Sequence, residues 1–189
     1  MKMFFKNRPG HICSWRSQWT LNNPIRLLLH PPDTILAPFV KPGMTVIDTG
    51  CGTGAFTIPM AHMVGETGKV LAVELQAEAL ARIEEKAERT GLTRRIETWK
   101  CEAEDIGPLP SADFALSFYM AHEVPDIQVY FTRMAECVKP GGLLLLAEPP
   151  IHVSQKAFKR EVHTALDVGF ALETAPPIRF SHAAMLKRT

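Results

Sequence analysis

The chain has 189 residues, 46% of them apolar and 22% charged, with a formal net charge of +1. That length suits one domain with a full core, and the near-zero charge argues against a nucleic-acid partner. No apolar run approaches the ~20 residues that cross a bilayer, so no membrane segment is expected.

Residues 1–43 carry no motif. Lys2, Lys6, Arg8, Arg16 and Arg26 all precede the first acid, Asp33. A solvated basic arm is the plain reading, and a patch for an anionic substrate or partner is the alternative. The segment lacks the apolar stretch of a secretory signal. Trp15, Trp19, Leu21, Ile25, Leu27, Leu28 and Leu29 make it too apolar for a free tail, and Trp15 and Trp19 share a helix face. The four cysteines, Cys13, Cys51, Cys101 and Cys137, are scattered without a C-x-x-C pair, which points to a reduced, cytoplasmic setting. His11, Cys13 and His62 have no metal-ligand spacing, so no metal is expected.

From about residue 44 strand and helix patterns alternate. Met44–Asp48 reads as a buried strand entered by Lys41-Pro42-Gly43, and Thr53–Met63 as a helix with Pro59 near its start. Lys69–Glu74 is a second strand. Ala77–Thr90 is a strong helix, stopped by Gly91, with Leu80, Ile83 and Ala87 on its inner face. Arg95–Lys100 and Asp113–Phe118 are further strands. Ile127–Val138 is an amphipathic helix, and the turn Lys139-Pro140-Gly141-Gly142 leads into Leu143–Glu148. That last strand is apolar without alternation, so both its faces are covered, as in a parallel sheet. Ser154 caps a helix ending near Val168. Strands near Phe170–Thr174 and Arg179–Lys187 flank Pro176-Pro177. That link is too short for a crossover helix, so these two strands are predicted to pair antiparallel. The whole reads as an α/β, doubly wound, mostly parallel sheet of seven strands closed by an antiparallel hairpin. Its ligands are expected at the carboxyl ends of the strands.

Four segments put functional groups there. Val46-Ile47-Asp48-Thr49-Gly50-Cys51-Gly52-Thr53-Gly54 ends a strand in an acid and follows it with a glycine loop. Such a loop turns sharply and lets a ligand lie against bare backbone at a helix start. Glu74 follows Gly54 by twenty residues, the reach of an acid that binds a ribose hydroxyl pair. Cys101-Glu102-Ala103-Glu104-Asp105 follows the third strand, and Ser117-Phe118-Tyr119-Met120-Ala121-His122-Glu123 the end of the fourth. His122 and Glu123 form the one compact acid–base pair near the site. His122, with an ordinary pKa of ~6.5, suits either a general base or a capping role. Cys51 reads as a small filler between glycines, since nothing basic is placed to activate it.

These blocks resemble the class I S-adenosylmethionine-dependent methyltransferases, closest to the small subgroup often called methyltransferase type 11. The resemblance rests on residues 46–54, on Val-Leu-Ala-Val-Glu (70–74), on Ala-Glu-Asp with Leu109-Pro110, on Asp-Phe-Ala-Leu-Ser-Phe with His122, and on Lys-Pro-Gly-Gly-Leu-Leu-Leu-Leu (139–146). It runs from about Met44 to the C-terminus. It implies S-adenosylmethionine as cofactor and S-adenosylhomocysteine as product. Asp48 would reach the methionine amino end, and the loop Gly50, Cys51, Gly52, Thr53 and Gly54 would lie against methionine and ribose. Glu74, with Leu75 beside it, would take both ribose hydroxyls. Glu102 and Ala103 would meet the adenine, and Ser117 and Phe118 would flank the methionine tail and sulfonium. Tyr119 and His122 would be the acceptor-side candidates.

The resemblance also implies one domain, 1–189, with 1–43 as a helical lid over the pocket, although packing on the sheet is an equal reading. The expected partner is a small-molecule methyl acceptor, with no nucleic acid and no membrane, in a monomer or homodimer. Two other readings stay open. Gly50-x-Gly52-x-x-Ala55 also satisfies a nicotinamide dinucleotide fingerprint, with Glu74 in the same role. A non-catalytic S-adenosylmethionine-binding module would keep the pocket without turnover.

Overall fold

The computed structural model describes residues 28–189. A short helix α1 (Pro32–Leu36) precedes β1 (Thr45–Thr49), α2 (Thr57–Met63), β2 (Lys69–Glu74), α3 (Ala77–Thr90), β3 (Ile96–Lys100) and β4 (Ala112–Phe118). A single 3-10 turn at Ala121–Glu123 then leads to α4 (Ile127–Cys137), β5 (Val138–Glu148), α5 (Gln155–Asp167), β6 (Phe170–Thr174) and β7 (His182–Arg188). The seven strands lie in the order β3-β2-β1-β4-β5-β7-β6. The first five are parallel, while β7 runs antiparallel to both β5 and β6. The doubly wound sheet and its closing hairpin therefore stand as the sequence implied. Because the chain winds outward from β1 to β3 and then restarts at β4, the crevice between β1 and β4 is the switch point where ligands bind.

Local chemistry sets the element ends. Gly91 takes the left-handed conformation (φ +70°) that closes α3. Asp126 caps α4 by accepting from the Gln128 and Val129 N–H groups at 2.9 and 3.2 Å, and Ser154 Oγ accepts from Ala157 N–H to start α5. Alternate leucines of β5 serve opposite faces of the sheet. Leu144 and Leu146 join Phe131, Met134 and Phe158 beneath α4 and α5, while Leu145 joins Leu36, Met60, Phe114 and Leu116 beneath α1 and α2.

Several element ends shift by a residue and β7 starts at His182 rather than Arg179, after a turn at residues 179–180; two further boundaries differ from the sequence reading. Regular helix begins at Thr57 rather than Thr53, because residues 52–56 run as turns around the glycine loop. Pro59 then falls in the first turn, where its missing N–H is unneeded. Residues 139–142 are a bulge within β5 rather than a turn before it. The pairing with β4 jumps from Ala112↔Val138 to Phe114↔Leu143, with Gly141 at φ +80° absorbing the bend.

Candidate active site

A cavity of about 280 Å³ opens at the carboxyl ends of β1, β2 and β4. Asp48, 3% exposed, closes one end. Its Oδ2 accepts from the Thr57 hydroxyl at 2.6 Å, so the first turn of α2 fixes the orientation of the carboxylate. The loop then runs past with its backbone bare. Gly50 (φ +64°) donates to Val73 O at 2.9 Å, and a Cβ at this position would sit 2.2 Å from Met120 Cγ. Only glycine lets the β1 loop pass so close to the wall that follows β4. On the other side of the loop, Lys86 Nζ from α3 donates to Thr53 O at 2.5 Å. Burial and its neighbours Arg89 and Arg82 pull the lysine below its ordinary range.

Glu74 is 5% exposed and ties three backbone groups together. Its Oε2 accepts from Gly52 N–H at 3.0 Å, and its Oε1 from Leu75 and Gln76 N–H at 2.9 and 3.1 Å. A carboxylate offers about four lone-pair sites. Oε1 is saturated by these bonds, and Oε2 keeps one direction for a ligand hydroxyl. Glu74 thus welds the glycine loop to the end of β2 and faces the cavity at once.

The adenine-side segment sorts itself by its bonds. Asp105 is engaged elsewhere: Arg133 donates to it at 2.7–3.1 Å and Gly107 N–H at 2.9 Å. Those hydrogen bonds hold its carboxyl below the usual range. Glu102, Ala103 and Glu104 all line the cavity, and Glu102 also approaches Lys100 Nζ at 3.7 Å. Cys51 and Cys101 line it too. Burial pushes the Cys51 thiol well above its ordinary range, helped by Asp48 and Glu74, and pushes Cys101 up to about 11. Both stay protonated thiols near neutrality, poorly suited to nucleophilic roles.

The fourth wall is aromatic. Phe56 and Phe118 approach to 4.6 Å between ring centroids, as do Phe118 and Tyr119, and all three line the cavity. Tyr119 holds φ +63°, an uncommon conformation for a bulky side chain. Its hydroxyl donates to Phe180 O at 2.8 Å and lies 2.7 Å from Ser181 Oγ and 3.2 Å from His30 Nε2. These bonds fasten the β6–β7 loop and the chain ahead of α1 beside the pocket mouth.

Of the residues singled out in the sequence, Asp48, Gly50, Cys51, Gly52, Thr53, Glu74, Leu75, Glu102, Ala103, Phe118 and Tyr119 border this one cavity. Gly54 lies behind it, where a Cβ would come within 3.1 Å of Ile83 on α3. Ser117 is fully buried within β4 and does not line the cavity. His122 does not line it either. Its Nδ1 is hydrogen-bonded to the Glu148 carboxylate and its backbone N–H reaches the same group at 3.3 Å, so the acid–base partnership runs to β5 rather than to Glu123. Met120, Glu123, Val124 and Pro125, which border the cavity, were not singled out as lining residues, nor was Thr57. Trp15 and Trp19 lie outside the described residues. Among the described residues no cluster suited to a metal ion occurs, and no helix is long and apolar enough to cross a membrane.

Residues 40–171 match the methyltransferase domain family. The chain belongs to that family, and its sheet and loops are those of a class I methyltransferase, whose cofactor is S-adenosylmethionine. It is 34% identical over 131 residues to the ubiquinone/menaquinone biosynthesis C-methyltransferase UbiE of Salmonella arizonae, a match covering 66% of this chain and 51% of that protein. The chain thus spans about half the length of the curated relatives it matches. Among solved structures, an S-adenosylmethionine-dependent methyltransferase from Aquifex aeolicus superposes with a TM-score of 0.83 at 26% identity, over 94% of this chain and 100% of that one. Aeropyrum pernix fibrillarin with natively bound S-adenosylmethionine shares the fold, with a TM-score of 0.63 at 18% identity over 86% of this chain and 74% of its own. The residues here suit that cofactor. Buried Asp48 and Glu74 lie at the ends of adjacent strands, with a side-chain-free loop between them, complementing an ammonium and a ribose across a narrow cleft.

Proposed function

We propose that this protein transfers a methyl group from S-adenosylmethionine to a small, planar acceptor. The observation that carries the reading is that one cavity is bounded by Asp48, the Gly50–Thr53 backbone, Glu74 and the aromatic wall Phe56, Phe118 and Tyr119. Bound there, the cofactor supplies an electrophilic methyl on a sulfonium. Asp48 holds the cationic amino end, and Glu74 accepts a ribose hydroxyl on the free side of Oε2. The 102–103 segment takes the adenine. Phe118 offers its ring to the sulfonium, while Ser117, buried in β4, acts through the strand rather than by contact. The aromatic wall favours a flat acceptor stacked in line with the methyl group, where positioning itself lowers the barrier. A quinone-like ring methylated on carbon is the finer reading, supported by the activity named for UbiE. Tyr119, which borders the cavity, is the candidate for touching the acceptor. His122 acts from behind the wall. The expected lid of residues 1–43 lies in part, at residues 1–27, outside the described residues; of its described part, His30 joins Tyr119 beside the cavity and is the contact through which that segment would cover it.

Calorimetric titration with S-adenosylhomocysteine, with NADH as control, tests the cofactor assignment. Transfer of labelled methyl from S-adenosylmethionine to a panel of hydroquinones and catechols tests the acceptor. Binding of NADH alone would overturn the proposal. Cofactor binding without transfer to any ring compound would remove the planar-acceptor reading.

A further inference from the structure

Behind the aromatic wall lies a second set of groups that do not themselves border the cavity. Glu148 ends β5 and is fully buried. It receives both the Nδ1 and the backbone N–H of His122. His122 belongs to the 119–125 turn, whose Tyr119, Met120, Glu123, Val124 and Pro125 border the cavity. One carboxylate on one strand thus anchors, at two points, the turn that follows the neighbouring strand. Glu161 approaches the same spot from α5, and its Oε2 is buried with no hydrogen-bond partner among the described residues. His152 stacks on the His122 ring at 5.6 Å from the solvent side, and His182 on β7 pairs in register with Glu148. Tyr130 on α4 also feels the Glu148 charge, and Arg160 and Glu123 complete the charged surroundings.

We propose that Glu148 is a positioning residue that sets the acceptor-side wall through His122, and that Glu161 tunes this hold by carrying a proton of its own. The proposal deepens the methyltransferase reading and rests on it for the identity of the cavity. The trio is balanced when His122 is imidazolium, Glu148 carboxylate and Glu161 carboxylic acid. Burial opposes the charge on His122, but the hydrogen bond and charge of Glu148, with the charge of Glu123, outweigh it and raise the pKa of His122 above its ordinary value. Burial and the Glu148 charge push Glu161 up to about 7. Above neutrality Glu161 ionises, a second carboxylate competes for the one imidazolium, and the turn loosens.

The test uses S-adenosylhomocysteine affinity between pH 6 and 9, together with ¹⁵N-histidine NMR of the same samples. The wild type is expected to lose about fivefold or more in affinity as the pH rises, and to show a downfield, exchange-protected His122 Nδ1 proton at pH 6. E161Q, which copies the protonated acid, is expected to bind as the wild type does at pH 6 and to keep that affinity at pH 9. E148Q is expected to bind weakly at both pH values and to lose the Nδ1 signal. Parallel pH profiles for wild type and E161Q would overturn the tuning role, even if E148Q does not fold. A folded E148Q with unchanged affinity would overturn the positioning role. A wild type that binds no S-adenosylhomocysteine at any pH would refute the methyltransferase reading instead, and the His122 signal would still decide the Glu148 contact.

Discussion

Replacing Glu74 by alanine separates two jobs that one carboxylate performs. The side chain accepts three backbone N–H groups, from Gly52, Leu75 and Gln76, and faces the cavity. A hydrogen bond to a charged group contributes about 1.5–3 kcal/mol when its partner is left dry. All three donors border the cavity, so water entering the vacated space offsets most of that loss, and a net cost near 2 kcal/mol remains. For a domain this size that lowers the melting temperature by about 4–8 °C. Cofactor binding loses in addition the ribose contact, worth about 1–3 kcal/mol, or roughly 5- to 150-fold in affinity. E74Q sharpens the test. Its amide oxygen can keep the Leu75 and Gln76 bonds, while its NH₂ faces Gly52 N–H and cannot accept. Most of the affinity loss should persist in E74Q with a smaller fall in melting temperature. Differential scanning fluorimetry and calorimetric titration with S-adenosylhomocysteine read both quantities. An E74A protein that binds within twofold of the wild type would refute the ribose role, whatever its stability.

Gly50→Ala should cost stability and binding together, because its Cβ would sit 2.2 Å from Met120 Cγ at φ +64°; an alanine variant with unchanged melting and affinity would show that the loop has another path. Gly52→Val places a β-branched residue at φ +53° on the cavity rim and should abolish S-adenosylhomocysteine binding, with near-native circular dichroism showing that the sheet survives. Glu161 has a folded pKa of about 7 against an ordinary 4.5. The folded state therefore binds the extra proton, and the wild type loses stability as pH rises from about 4.5 to 7 and keeps that deficit above. E161Q should accordingly melt about 2–6 °C higher than wild type at pH 8 and show little difference at pH 4.5; a difference independent of pH would contradict the assignment. Phe131→Ala, at a fully buried position on the inner face of α4, should cost about 3–5 kcal/mol in urea denaturation and leave cofactor affinity per folded molecule intact.

Legibility in the sequence followed the range of the interactions. The β2 and α3 spans could be read directly, because Lys69–Glu74 is a short apolar run and Ala77–Thr90 a helical one closed by Gly91, all local signals. The glycine loop and Glu74 were readable for the same reason: their spacing along the chain is the spacing the ligand requires. The β5 bulge was not, because Lys139-Pro140-Gly141-Gly142 has the composition of a turn. Only the register against β4 decides whether the chain leaves the sheet or arches within it. Likewise the exclusion of Asp105 from the cavity depends on Arg133, which is twenty-eight residues beyond Asp105 and bonded to it.

The pairing of His122 shows why the acid–base part of the site was harder to read than the cofactor part. In sequence, the nearest acid to His122 is Glu123, and adjacency suggests a pair. On a backbone leaving a strand, however, successive side chains diverge, and the group that meets an imidazole is the one that the next strand brings alongside. Glu148 closes an unbroken apolar run in β5 and looks there like a strand-end acid bound for solvent. Parallel pairing aligns Phe118 with Ala147, which sets the end of β5 beside the turn that leaves β4. The carboxylate is then fully buried, and a buried carboxylate must find donors. The His122 Nδ1 and backbone N–H supply them. The same register that forms the cavity thus determines which residue holds its wall, so the cofactor motif follows from spacing and the anchoring of the acceptor side follows from topology.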